Sequence, residues 1–124
     1  MTTKKQMNCR SKLRGTRVKP ILKNNQKMNK TEAAYAQLLE LRKRAGEIVE
    51  YRFEPFRLIL ANNTSYTPDF LVVFEDHFEI HEVKGFWRDD ARVKIKVAAR
   101  TFPWFQFIAI QYKKKQWHYE SFNP

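Results

Sequence analysis

Hydrophobic and polar positions follow two different periods along residues 29–124, one typical of helices and the other typical of strands. The helical period predicts a first helix over 31–44 and a second over 89–102, which Pro103 ends. Apolar side chains on one face of each helix would pack on a sheet. These are Tyr35, Leu38 and Leu39 in the first helix, and Ala91, Ile95, Ala98, Ala99 and Phe102 in the second.

Extended segments are predicted at 48–53, 56–60, 70–74, 78–84, 104–111 and 116–122. The unit from 78 to 110 runs strand, helix, strand, so its two strands should pair in parallel. The short turn before residue 78 instead favours an antiparallel pair. The predicted fold class is therefore α/β, with a mixed sheet flanked by helices. With 48–53 and 56–60 counted as one strand broken at 54–55, the element order is helix, three strands, helix, strand, followed by a C-terminal strand.

The segments 70–74 and 78–84 predict a β-hairpin with its polar turn at 75–76. With the turn centred between residues 75 and 76, Asp69 lies directly opposite Glu82. The hairpin therefore places two acidic side chains face to face at its open end. On the other face of the same strand lie two histidines, which we expect to be ordinary surface or edge residues. They are His77 and His81.

Two carboxylates that face each other across a strand pair repel, so Asp69 and Glu82 need a compensating charge. Lys84 follows Glu82 at the side-chain period of two and shares its face. A divalent cation would compensate the acids better, since a hard ion such as Mg²⁺ takes carboxylate oxygens and keeps waters that a substrate phosphate can replace. The alternative is a solvated acidic edge with a cross-strand ion pair.

The basic excess of the chain is concentrated in an N-terminal arm, residues 1–28. The arm contains nine of the 24 Lys and Arg residues and none of the 13 Asp and Glu, and it lacks sustained apolar periodicity. This composition predicts a flexible segment that contacts nucleic-acid phosphates with salt-sensitive, sequence-independent affinity. The alternative is a solubilising or ribosomal-type tail. The basic residues assigned to phosphate contact are Arg10, Lys12, Arg14, Arg17 and Lys19.

A second basic surface is predicted on the second helix, where Arg92, Lys96 and Arg100 recur every four residues. This basic ridge is either the solvated face of the helix or a track for phosphates. Together with the arm, the ridge makes a nucleic acid the expected partner of the chain.

The remaining composition excludes several classes of protein. Cys9 is the only cysteine, which excludes an internal disulfide and a zinc site built on several thiolates. No apolar run approaches the roughly 20 residues of a membrane-spanning helix, and the N-terminus lacks the apolar core of a signal peptide. We therefore expect a soluble, unsecreted protein in a reducing intracellular compartment, without a membrane partner.

Three segments, taken in order, resemble the PD-(D/E)XK nuclease superfamily, which has the restriction-endonuclease-like fold. They lie at 29–32, 66–70 and 81–85 and read NKTE, YTPDF and HEVKG. The resemblance covers roughly residues 29–111, and the three segments resemble in more detail a group of small phage and prophage proteins placed in that superfamily. It implies a nuclease-like domain over 29–124, preceded by the basic arm.

The resemblance also implies a role for each site residue. Asp69 would be the principal metal-bridging carboxylate and Glu82 the second ligand, with the backbone carbonyl of Val83 nearby. Lys84 would orient or deprotonate the attacking water. Glu32 matches an additional acidic ligand of many branches, although a plain capping glutamate explains it locally. The implied cofactor is Mg²⁺ or Mn²⁺.

The implied function is a metal-dependent endodeoxyribonuclease, phage or prophage encoded and cytoplasmic in a bacterial host. It would select junction or branched DNA by structure more than by sequence. A homodimer would suit this activity, since paired cuts on a branched substrate need two active sites. Two alternatives remain. One is a non-catalytic basic nucleic-acid-binding protein whose acids and lysine form a structural cluster, and the other is a small ribosome- or RNA-associated basic protein.

Overall fold

A computed structural model describes residues 27–123 of the chain, which form two helices and seven strands. In chain order these are α1 (Lys30–Arg44), β1 (Glu50–Phe53), β2 (Leu58–Ala61), β3 (Thr64–Tyr66), β4 (Phe70–Val73), β5 (Phe78–Lys84), α2 (Asp89–Thr101), β6 (Phe105–Lys113) and β7 (Gln116–Ser121). Neither of the helices in this part of the chain is long and apolar enough to cross a membrane.

The strands form one large sheet and one small sheet. The large sheet has the order β1-β4-β5-β6-β7, with β5 and β6 parallel and every other neighbouring pair antiparallel. The predicted α/β class with a mixed sheet is confirmed, as is the parallel pairing across the strand, helix, strand unit. Along the chain, α1 precedes three strands of the large sheet, and α2 precedes its last two.

The predicted course of the chain between β1 and β4 is partly wrong. The sequence predicts no extended segment between 60 and 70, but β3 begins at Thr64 and pairs with β2 in a separate two-stranded sheet. Asn63 has a φ of 55°, which asparagine tolerates better than most residues, so the chain reverses within two residues. The resulting hairpin packs Leu58 and Tyr66 into the core beside α2.

The hairpin formed by β4 and β5 has the predicted register. Its pairs run from Phe70 opposite His81 to Val73 opposite Phe78. The turn is closed by a 2.9 Å hydrogen bond from the backbone N–H of Phe74 to the carbonyl of the residue at position 77. Asp69 therefore comes directly before β4, at the open end of the hairpin.

Helix α1 begins with a complete capping box. The side chain of Asn29 accepts a 2.8 Å hydrogen bond from the backbone N–H of Glu32, and the Glu32 carboxylate accepts one of 2.9 Å from the N–H of Asn29. These reciprocal bonds satisfy two of the backbone donors that a helix start leaves open. The cap fixes the first turn of α1, and with it the position of the Glu32 side chain.

The two helices cover opposite faces of the large sheet, and their predicted apolar stripes face it. On the α1 side the buried residues are Tyr35, Leu39, Ile48, Phe70, Val72, Val83 and Ile110. On the α2 side they are Leu58, Tyr66, Ile80, Ile95, Ala98, Ala99 and Phe107. Alternation along β5 thus directs Val83 towards α1 and Glu82 and Lys84 towards the α2 side.

His81 lies inside the core on the α1 side, so the expectation of an edge histidine is wrong for this residue. Its side chain is 2% exposed. Nδ1 lies 2.7 Å from the hydroxyl of Tyr35, and Nε2 lies 2.8 Å from a carboxylate oxygen of Glu79. A polar ring can be buried when both nitrogens have partners, which sequence alternation alone does not reveal.

Candidate active site

The open end of the β4–β5 hairpin holds two buried acids. The residues Asp69 and Glu82 are 7% and 6% exposed, respectively. The backbone N–H of Asp69 donates to Oε1 of Glu82 at 3.2 Å, and the N–H of Val83 donates to Oδ2 of Asp69 at 2.9 Å. The alternative of a solvated acidic edge is therefore wrong, because the facing acids lie in the protein interior.

Asp69 is held at this point by the end of β1. The backbone N–H of Glu54 donates to the carbonyl of Asp69 at 2.7 Å, and Glu54 has a φ of 45°. Pro68, on the other side of Asp69, is fully buried and has no N–H to satisfy. The backbone before β4 is thus fixed from both directions, which limits the positions available to the Asp69 carboxylate.

Tyr66 binds Glu82 from the small sheet. Its hydroxyl donates a 2.6 Å hydrogen bond to Oε1 of Glu82, and both side chains are buried. Burial and the neighbouring carboxylates of Glu82 and Asp69 raise the pKa of Tyr66, which keeps the phenol protonated as a donor. No role is predicted for Tyr66 from the sequence, although it lies inside the YTPDF segment.

The pKa of Asp69 is raised to about 8. Burial is the largest cause, followed by the charge of Glu82, and Glu32 adds a smaller contribution. The hydrogen bond from Val83 and the charge of Lys84 act in the opposite direction. Burial and the charge of Glu82 therefore disfavour the ionised form of Asp69, and a bound cation would favour that form.

Lys84 forms the cationic part of the site. Its Nζ lies 3.3 Å from Oε2 of Glu82. Burial lowers the pKa of Lys84, but the charges of Glu82 and Asp69 and the hydrogen bond to Glu82 outweigh burial, so the pKa is raised. Lys84 consequently stays protonated at neutral pH. This favours the predicted role of orienting the attacking water over the predicted role of deprotonating it.

Two further acids approach from other elements. Glu32 remains in its capping box, yet its charge raises the pKa of both Asp69 and Glu54. Burial is the main reason that the Glu54 pKa is raised, and Glu82 contributes as well. Glu54 was missed because it sits at a strand break before Pro55, where the sequence indicates only an interruption.

Carboxylate oxygens are the donors that Mg²⁺ and Mn²⁺ prefer, and the crowded acids have the chemistry to hold such an ion. Asp69 and Glu82 face one another, whereas Glu32 is retained by its cap. Within residues 27–123, no three acidic, histidine or cysteine side chains converge closely enough to enclose a metal. The two facing acids would thus supply the protein carboxylates, with water or phosphate completing the coordination.

A cavity of about 350 Å³ opens beside Glu82 and Lys84. It is lined by Ser65, Tyr66, Thr67, Glu82, Lys84, Ala91, Lys94 and Ile95. Lys94 lines this cavity from α2, and no role is predicted for it from the sequence.

No family model, curated protein or solved structure matches the chain.

The predicted basic ridge does not line the cavity. At about 100° per residue, Arg92, Lys96 and Arg100 lie roughly 160° to 240° around α2 from Lys94. Arg92 is engaged in a bidentate pair with Glu120, at 2.8 and 3.2 Å. Lys96 and Arg100 are exposed.

The arm residues assigned to DNA contact lie outside the described part of the chain. They are Arg10, Lys12, Arg14, Arg17 and Lys19.

Replacing Tyr66 with phenylalanine is expected to lower the free energy of unfolding by about 1–2 kcal/mol, because a buried carboxylate loses a hydrogen-bond donor. Urea unfolding at pH 7 measures the change. Tyr112→Phe is the matched control, since Tyr112 is exposed and the same loss of a hydroxyl should change stability by less than about 0.5 kcal/mol. Equal effects of the two substitutions would contradict a specific role for the Tyr66 hydroxyl.

Proposed function

We propose that the chain is a metal-dependent endodeoxyribonuclease of the PD-(D/E)XK type, with a restriction-endonuclease-like core. The observation that carries the proposal is the buried, facing pair Asp69 and Glu82, with Lys84 3.3 Å from Glu82 at the edge of a cavity. Burying two acids that repel one another destabilises the fold. A bound cation would offset this cost, whereas a cluster with only a structural role would leave it without compensation.

In this proposal Asp69 and Glu82 would hold Mg²⁺ or Mn²⁺, and the resemblance adds the carbonyl of Val83. The resemblance also suggests the carboxylate of Glu32, which would have to leave its capping box to reach the ion. Such an ion, when bound, polarises the scissile phosphate and lowers the pKa of a bound water. The N–H of Val83 holds Oδ2 of Asp69, and the hydroxyl of Tyr66 holds Oε1 of Glu82. These bonds orient the two carboxylates before any substrate arrives.

The two lysines of the cavity complete the proposed site. Protonated Lys84 stabilises negative charge that develops on the phosphate and orients the attacking water. Lys94 holds a flanking phosphate from the α2 side of the cavity. The opposite charges are thus divided between the strand acids, which take a cation, and the lysines, which take the substrate.

The source and substrate preference follow from the resemblance and the charge. We propose a phage or prophage enzyme in the bacterial cytoplasm that cuts junctions or branched DNA, with the arm following the phosphate backbone. A domain of this size has little surface for base readout, which supports selection by structure. A homodimer would supply the two active sites that paired cuts need.

Purified protein incubated with Mg²⁺ or Mn²⁺ should cleave at least one of four labelled DNA substrates: single-stranded, duplex, flapped or four-way. Cleavage should disappear with EDTA and in Lys84→Ala. Gel separation of the products shows the position of each cut. Binding of all four substrates without metal-dependent cleavage of any would overturn the nuclease proposal and favour a non-catalytic nucleic-acid-binding protein.

Lys94→Gln is expected to raise the KM for DNA roughly fivefold to tenfold with a smaller change in kcat, because it removes one phosphate contact outside the reacting group. Steady-state cleavage at two salt concentrations measures both constants. Lys96→Gln is the matched control, since it removes the same charge from the far side of α2. A KM that rises equally in both variants would show that Lys94 acts only through the overall charge.

A further inference from the structure

A second cavity, here called the aromatic groove, lies on the α1 side of the sheet. It has a volume of about 360 Å³ and is lined by Lys30, Thr31, Ala34, Tyr112 and Trp117. One wall is the first turn of α1 and the other is the β6–β7 hairpin. None of these five residues belongs to the acidic site or to its cavity.

Two rings in contact line the aromatic groove. Tyr112 and Trp117 are cross-strand partners, with ring centroids 4.7 Å apart and an interplanar angle of 54°. Trp117 in turn packs edge-on against the buried ring of Tyr35 at 5.1 Å. Tyr112 nevertheless remains 46% exposed. The fold thus holds an aromatic face in place while leaving it open to solvent.

The charge around the aromatic groove is positive. Lys30 lies on its α1 wall, and three exposed lysines close the β6–β7 hairpin at 113–115. Within residues 27–123, none of these four lysines takes part in an ion pair. An aromatic face rimmed by unpaired cations fits a ligand that combines planar rings with negative charge, which is the chemistry of an unpaired nucleotide.

The aromatic groove lies at the same end of the sheet as the acidic site. Gln111, the residue before Tyr112, pairs with Lys84 across β5 and β6, and its side chain donates to the carbonyl of Gly85 at 3.1 Å. On the other wall, Lys30 lies two residues before Glu32. Both walls of the aromatic groove therefore lie next in the chain to candidate site residues, at the end of the sheet that carries the acidic site.

We infer that the aromatic groove binds an unpaired nucleobase of single-stranded DNA by stacking on Tyr112, with its lysines holding the neighbouring phosphates. The inference rests on the proposed nuclease function for the choice of DNA. It adds a substrate class to that function: DNA with a single-stranded segment, such as a flap or an opened junction arm. Stacking accepts every base, so the groove provides selection by strandedness and not by sequence.

The test measures DNA binding in EDTA, where cleavage plays no part. Fluorescence anisotropy compares a labelled thymidine oligonucleotide of about twelve nucleotides with an abasic strand of equal length and with a duplex. Wild-type protein should bind the abasic strand roughly tenfold more weakly than the thymidine strand. Tyr112→Ala should lose roughly tenfold on the thymidine strand, whereas Tyr112→Phe should stay within about twofold.

Trp104→Ala is the matched control, because Trp104 is an exposed aromatic just before the start of β6, at the opposite end of the sheet. It should leave binding unchanged. The inference is overturned if Tyr112→Ala binds the thymidine strand normally, if it weakens abasic and duplex DNA equally, or if wild-type protein prefers a uridine RNA strand. It is also overturned if Tyr112→Ala converts a dimer into a monomer without changing DNA affinity.

The two proposals fail separately. Base-dependent binding that needs Tyr112, without cleavage of any substrate, would support the aromatic groove and overturn the nuclease. Metal-dependent cleavage with equal affinity for thymidine and abasic strands would overturn the groove and leave the nuclease supported.

Discussion

Asp69→Asn is expected to lower the rate of metal-dependent DNA cleavage by about 1,000-fold or more while preserving the fold. The substitution removes the charge that would hold the cation opposite Glu82, and a catalytic cation contributes several kcal/mol to the stabilisation of the transition state. Asparagine has nearly the same shape as aspartate and can still accept the hydrogen bond from Val83. The loss should therefore fall on kcat and not on folding.

Single-turnover cleavage with excess protein measures this rate, and unfolding in urea verifies the fold. The matched control is Asp76→Asn, which makes the same change at the turn of the same hairpin, where the side chain is 87% exposed. Asp76→Asn should cleave at the wild-type rate. Cleavage by Asp69→Asn within about tenfold of wild type would remove Asp69 from the catalytic centre.

The free energy of unfolding of the metal-free protein is expected to fall as the pH rises from about 4 to 8, and Asp69→Asn should remove most of this fall. The pKa of Asp69 is about 8 in the folded protein, whereas the ordinary value of 3.8 applies to the unfolded chain. The folded state therefore favours the protonated acid. This contribution to stability is complete below pH 3.8 and is lost as the pH approaches 8.

The expected loss is about 2–3 kcal/mol, which is roughly half the value of the full pKa shift, because Glu82 shares the titration. Urea unfolding of wild type and Asp69→Asn in EDTA at pH 5 and pH 8 measures it. The contributions of Glu50 and His81 to the pH dependence cancel in this comparison, because both residues are present in both proteins. A hydrogen bond from Lys43 lowers the pKa of Glu50 to about 2, and burial lowers the pKa of His81.

Addition of Mg²⁺ or Mn²⁺ at pH 8 should restore stability to the wild type and not to Asp69→Asn, because the cation replaces the proton as the compensating charge. If the free energy of unfolding of the two proteins in EDTA changed with pH in the same way, the pKa of Asp69 would not be raised by folding. A cation that stabilises both equally would bind elsewhere in the protein.

Local sequence patterns predicted much of this fold for a simple reason. Helix periodicity and the polar turn at 75–76 depend on residues close in the chain, so each can be recognised without knowing the fold. The hairpin register followed from the turn alone. It correctly placed Asp69 opposite Glu82, although it could not show that both acids are buried.

Interactions between distant segments account for what sequence analysis missed. Tyr66 meets Glu82 because β3 belongs to a separate small sheet, Glu54 binds the backbone of Asp69 across β1 and β4, and Lys94 enters the cavity from α2. None of these contacts has a periodic signature. The basic ridge is a different case. The sequence correctly predicted the helix that carries it, but the packing of α2 decides which side of that helix faces the cavity.

The sequence by itself determined the α/β class, the two helices, the parallel and antiparallel pairing and the facing acids. Only the tertiary structure decided that Asp69 and Glu82 are buried, that Tyr66 binds Glu82, and that Lys94 and not the ridge lines the cavity. The physical reason is that chain-local propensities set secondary structure and hairpin register. Desolvation and the charges that act on a side chain instead depend on every element packed around it.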